Sequence, residues 1–152
     1  MTFGELVDGI GAKLGIGIEN AGGAAALEID GRTVVLQMAD DDLLLVRADL
    51  GEIPPDRRDA FAYAALEANY LYQGTGGATL AVNPADSHLH LQKYNWLGRL
   101  DADKTLEMLT RLAETAAAWQ RIVADASAAA EASAASETVP QAEFQSGGFM
   151  QV

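Results

Sequence analysis

Between Ala26 and Met38 the chain reads ALEIDGRTVVLQM, two alternating apolar runs divided by Asp30-Gly31. An Asp-Gly pair readily takes the positive φ angles of the mirror-type turns that join antiparallel strands, so the period of two and the turn together demand a hairpin. ADDD, Ala39 to Asp42, then turns the chain into LLLVRAD, a third strand. Three consecutive antiparallel strands form a meander, and its apolar face must be covered by something else.

The flanking segments change to the helical period. Residues 2–14 place Phe3, Leu6, Val7, Ile10 and Leu14 on one stripe, while Gly4, Gly9 and Gly11 weaken the helix and make it dependent on packing. EIPPDRRDAFAYAALEANYLYQ opens with prolines, which a first helical turn tolerates, and runs alanine-rich to Gln73. At about 100° per residue, Phe61, Ala65, Ala68 and Tyr72 share one side of this second helix, and Tyr63, Leu66 and Tyr70 share the other. Two opposed apolar faces need two partners: the sheet, and either a further layer or a second copy of the chain. ATLAVN and HLHLQKYNW read as two more strands around the turn PADS. A third helix begins near Asp101 or Asp103, either of which can cap it, with Leu106, Leu109, Leu112, Ala116, Trp119 and Val123 on its apolar face. The order α-β-β-β-α-β-β-α predicts an α+β domain, an antiparallel sheet packed by helices, over residues 1–124. Residues 125–152 read as an Ala/Ser/Glu-rich helix extension followed, beyond about Ser133, by a flexible tail.

Composition narrows the function classes. The 152 residues are 49% apolar, enough for one domain with a proper core. Ten Lys plus Arg against 22 Asp plus Glu leave a net charge of −12, which repels nucleic acid and anionic lipid. With no cysteine there are no disulfides, thiolate metal sites or cysteine nucleophiles. The amino terminus carries acids before its first base and has no long unbroken apolar run, so a cytoplasmic protein without a membrane span is expected.

Several short motifs suggest chemistry and have plainer readings. In QGTGGATL the glycines follow a helix and precede a strand. A phosphate-cradling loop has the opposite order, so a helix C-cap and tight turn is the better reading. His88 and His90 share one strand face but have no evident third ligand, and Leu89 and Leu91 assign them to the less buried side. Asp40, Asp41 and Asp42 lack the alternating ligands, central glycine and closing glutamate of a calcium loop. Met150-Gln151-Val152 has the hydrophobic-x-hydrophobic form that a terminal-carboxylate pocket captures, although three residues match by chance often. No nucleophile, base and oxyanion donor fall into a local signature, and neither a cofactor nor a metal site is expected.

LEANYLYQGTGGATLAVNP, the HLHLQKY strand and LDADKTLEMLTRLAETAAAWQ together resemble the class I type III secretion chaperones, the Tir-chaperone family. The resemblance covers about residues 3–124. It implies a small acidic homodimer, not an enzyme, that binds the amino-terminal region of a secreted effector, keeps it extended, and hands it to the secretion apparatus without ATP. By position it places Tyr63, Leu66, Tyr70, Leu80 and Val82 at or near the dimer interface. It likewise assigns effector-binding patches to Phe3, Leu6, Val7 and Ile10 and to the strand positions Leu27, Ile29, Val34 and Leu36. On this reading Gly9 and Gly11 let the first helix shift to fit different segments. The alternative is a binding or regulatory module that uses the same fold outside a secretion system.

Overall fold

The structure is a computed structural model and describes residues 1–137. Its elements follow the predicted order: α1 (Phe3–Leu14), β1 (Ala24–Ile29), β2 (Arg32–Asp40), β3 (Leu43–Glu52), α2 (Arg58–Asn69), β4 (Thr79–Val82), β5 (His88–Trp96) and α3 (Ala102–Glu137). All strands join one antiparallel sheet in the order β1-β2-β3-β5-β4, so the fold is α+β.

Local chemistry sets the element boundaries. Asp30 (φ 50°) and Gly31 (φ 74°) make the mirror-type turn between β1 and β2. Thr2 and Glu5 form a reciprocal capping box that starts α1. The Asp101 carboxylate accepts the Lys104 amide at 2.8 Å and starts α3. Gly15 (φ 68°) closes α1, and its amide donates to the Gly11 carbonyl.

The core lies on one side of the sheet. Val34 and Leu36 of β2, Leu44, Val46, Ala48 and Leu50 of β3, and Leu89 and Leu91 of β5 meet Leu109, Leu112, Ala113, Ala116 and Val123 of α3 and Leu6, Val7 and Ile10 of α1. Register makes the stripe continuous, since Leu36 lies opposite Val46 and Ala48 opposite Leu91. Each large apolar side chain so buried contributes about 1.5–3 kcal/mol before chain entropy is counted. A bulge between Asp49 and Gly51 bends β3, and Gly51 (φ 106°) leaves space that a Cβ would close to 3.2 Å from Val123.

The second helix ends earlier than its alanine-rich sequence predicts. It stops at Asn69, whose side chain accepts the Leu80 amide at 2.8 Å and donates to the Leu80 carbonyl at 3.1 Å. That clamp ties the helix end to the edge of β4, and a short 3-10 turn, Tyr70–Tyr72, follows with Leu71 (φ 52°) and Tyr72 (φ 56°) left-handed. Phe61 and Ala65 are buried as predicted, but Tyr72 leaves their face and is exposed. At the other end of the core α3 continues helically to Glu137, its Trp119 indole donating to the Gly74 carbonyl at 2.9 Å. The tail predicted beyond about Ser133 is thus helical as far as Glu137, and the rest of it, with Met150-Gln151-Val152, lies outside the described residues.

His88 and His90 lie on the sheet face away from the core. The His88 Nδ1 sits 2.9 Å from both oxygens of Asp49, a cross-strand pair between β5 and β3. That hydrogen bond raises the imidazole above its ordinary 6.5. Burial pushes the Asp49 carboxyl up, but the Gly51 amide and His88 outweigh it and hold it below the ordinary 3.8. His90 beside them has both ring nitrogens shielded and, among the described residues, without a hydrogen-bond partner.

Two predictions come from these features. A Cβ on Gly11 would lie 2.7 Å from the Ile16 carbonyl oxygen, whereas one on Gly9 makes ordinary contact at 3.4 Å with Ala102. Both substitutions gain helix propensity, so Gly11→Ala should be less stable than Gly9→Ala by about 1–3 kcal/mol in urea unfolding, the usual cost of overpacking. Equal stabilities would show that the α1 terminus gives way freely. The His88 contribution is complete below the unfolded value of 6.5 and is lost as pH rises through the raised folded value. The Asp49 contribution is complete above 3.8 and is lost as pH falls through the lowered folded value. The melting-temperature deficit of Asp49→Asn should therefore be largest between these two ordinary values and shrink toward about pH 9, modestly overall because the pair is partly exposed. A deficit that does not change with pH would remove the ion pair from the account.

Candidate interaction surfaces

With α1 and α3 on one face of the sheet, the other face and the two sheet edges carry the accessible chemistry. The edges are unlike each other. Along β4 the clamp from Asn69 occupies the outward amide and carbonyl of Leu80. Along β1, Ala24 exchanges hydrogen bonds of 3.0 and 3.1 Å with Ala21, so its backbone points away from β2. Alternation then turns the amides and carbonyls of Ala26 and Glu28 outward as well, and no strand pairs with them among the described residues. Beside this edge runs an open groove of about 490 Å³, with Ile16, Ile18, Ala26, Leu27 and Val35 among its walls.

A second surface surrounds the exposed side of α2. Tyr63 and Leu66 on the helix and Tyr70, Leu71 and Tyr72 in the turn after it are each more than half exposed, and Val82 on β4 nearly so. Isolated exposed apolar residues are common, but six large ones within one helix, its terminal turn and the neighbouring strand form a patch. A third apolar group lies on the open sheet face, where Leu43 faces Trp96 and Leu45 faces Tyr94 across the β3–β5 ladder.

The residues that the sequence reading assigned to contacts divide sharply. Tyr63, Leu66, Tyr70 and Val82 are accessible, but Leu80 is 4% exposed and faces the core opposite Leu91. Phe3, Leu6, Val7, Ile10, Leu27, Val34 and Leu36 are all buried and Ile29 is half-buried. These side chains bind α1 to the sheet and α3, so they offer no free patch, although Phe3 and Leu27 touch open concavities. Leu71, Tyr72, Tyr94 and Trp96, which the sequence reading did not assign to contacts, are also exposed. For the last two a signal existed, because β5 places aromatics on the side away from Leu89 and Leu91 after Gln92.

Among the described residues no three His, Cys, Asp or Glu side chains cluster as a metal site, and no helix is long and apolar enough to cross a membrane.

No curated protein matches the sequence. Solved structures do. A chain in the structure of the Yersinia pestis type III secretion chaperone SycH, in complex with a stable fragment of YscM2, superposes with a TM-score of 0.64 at 21% identity, over 78% of this chain and 99% of that one. A chain of the heterodimeric ExoU–SpcU complex from the type III secretion system of Pseudomonas aeruginosa gives 0.64 at 19% identity, over 77% and 97%. The same fold occurs in an uncharacterized protein from Methanothermobacter thermautotrophicus, with a TM-score of 0.53 at 8% identity over 81% and 97%. The family model of the Tir chaperone proteins matches residues 5–120, from the first turn of α1 to the Gln120 that bonds β3. A match that takes in most of α1, every strand and the first half of α3 places this protein in the Tir chaperone protein (CesT) family.

Proposed function

We propose that this chain is a secretion chaperone: a cytoplasmic homodimer that holds the amino-terminal region of a secreted effector in extended form and passes it to a type III secretion apparatus without hydrolysing ATP. Family membership supports this, as do the similar chains solved with YscM2 and ExoU. Its work is done by surfaces and not by a catalytic site.

The observation that carries the reading is the free β1 edge beside an apolar groove. An extended polypeptide could pair its backbone with Ala26 and Glu28 while alternate side chains enter the groove, which gives affinity tolerant of sequence. A ligand kept unfolded loses chain entropy on binding, so contacts must be spread along a long segment. In place of the buried α1 and strand positions named by resemblance, we assign the effector contact to this edge, with Leu27 at the base of the groove.

The patch of Tyr63, Leu66, Tyr70, Leu71, Tyr72 and Val82 is assigned to self-association. Backbone strain supports that choice. Left-handed non-glycine residues cost about 1–3 kcal/mol each, and such strain persists where surrounding structure or a function offsets it. Burial of Leu71 and Tyr72 against a second copy would supply that offset.

Two measurements test the reading. Leu66→Glu with Tyr70→Glu should reduce the light-scattering mass from two chains to one while the circular dichroism spectrum is kept; a persistent dimer would place the interface elsewhere. When the protein is purified from its native host, Ala26→Pro should lower capture of a co-purifying, protease-protected amino-terminal segment by about tenfold or more, since proline blocks pairing at that edge. Retention of a fully folded partner by both forms would move the function to a binding module outside a secretion system.

A further inference from the structure

On β5 the stripe that faces the helices runs Leu89, Leu91, Lys93, with Lys93 opposite the fully buried Val46. A lysine therefore occupies a place that strand alternation gives to a core residue. Its ammonium reaches toward the turn before β4, close enough that a Cβ on Gly77 would lie 3.4 Å from Nζ. Among the described residues no carboxylate lies within ion-pair distance of it.

Lys93 does not stand alone. It shares a cavity of about 130 Å³ with Lys104 and Arg111 of α3, Thr75 and Gly76 of the turn, and Glu107. Thr75 is 1% exposed and its hydroxyl has no hydrogen-bond partner among the described residues. Arg111 is held by Glu107 at 2.5 Å and Lys104 by Asp101 at 3.0 Å. Gly76 (φ 60°) brings the turn so near α3 that a Cβ would sit 2.9 Å from the Thr115 hydroxyl oxygen. Three cations thus meet two carboxylates, Asp101 and Glu107, and Lys93 is the cation left without one, in a chain where acids outnumber bases 22 to 10.

We infer that this cavity binds a small oxyanion, with the Lys93 ammonium and the Thr75 hydroxyl as its inner donors and Lys104 and Arg111 at its rim. An anion there would satisfy the orphan hydroxyl, as a buried polar group requires, and give the half-buried Lys93 a counter-charge. The size fits a phosphate or carboxylate group and falls below the roughly 300 Å³ at which pockets for larger organic ligands begin. The wrong-way helix dipole at the glycine turn does not oppose this, because the positive charge comes from side chains of β5 and α3. Two sources offer the same chemistry: free inorganic phosphate, and an aspartate or glutamate side chain of a bound polypeptide. The site does not depend on the function proposed above.

The test is a pair of NMR titrations of the full-length ¹⁵N-labelled protein, one with sodium phosphate and one with sodium acetate, at ionic strength held constant with sodium chloride. The expected result is saturable movement of the Gly76, Gly77 and Ala78 amides. Lys93→Met should weaken it by about tenfold or more, the usual worth of a charge-assisted hydrogen bond. If Lys93→Met does not fold, Lys104→Gln on the exposed rim should weaken it severalfold. Saturation by phosphate alone identifies the free anion, and saturation by acetate as well identifies a side-chain carboxylate. Drift no greater than chloride produces, or affinity unchanged in the folded variant tested, would overturn the assignment.

Discussion

The rest of the molecule depends on α3 lying across β3. Leu109, Leu112, Ala113 and Ala116 meet a strand whose inward side chains, Leu44, Val46, Ala48 and Leu50, are nearly inaccessible to water. Small residues on the helix allow close approach, the Gly51 bulge makes room for Val123, and Gln120 donates to the Asp49 carbonyl where the strand bends. Once that face is sealed, α1 has only the remaining width of the sheet to cover, which it does while touching α3. The second helix is left at the β4 edge, and the opposite sheet face stays open to solvent.

Much of this was legible in the sequence because it depends on near neighbours. The Asp30-Gly31 turn and the alternating strands are decided within a few residues and the structure agrees with them, and of the two aspartates that could cap α3 it uses Asp101. The end of α2 was not legible. Nothing local stops a helix in EANYLYQ; it stops because Asn69 meets Leu80 eleven residues later in sequence. The role of the Phe3, Leu6, Val7 and Ile10 stripe was illegible for a similar reason, since an apolar stripe looks the same whether it covers α3 or a partner chain. Lys93 escaped notice because one lysine in an alternating strand reads as solvated until its face is known.

The exposed surface divides its tasks by chemistry. Apolar side chains gather beside α2 and along the groove at β1, and the net charge of −12 opposes indiscriminate association through either. Against that background Lys93, half-buried beside the turn and without an ion pair among the described residues, is a cation less screened by salt than the exposed Lys104 and Arg111.

The clamp of Asn69 on Leu80 also governs how this sheet can fail. A sheet with two bare edges can add copies of itself at both ends and grow without limit, as fibres do. Here the β4 edge carries a side-chain amide on Leu80, so edge pairing between copies is hindered there and favoured through β1. A sheet clamped at one edge is thereby a poorer template for itself.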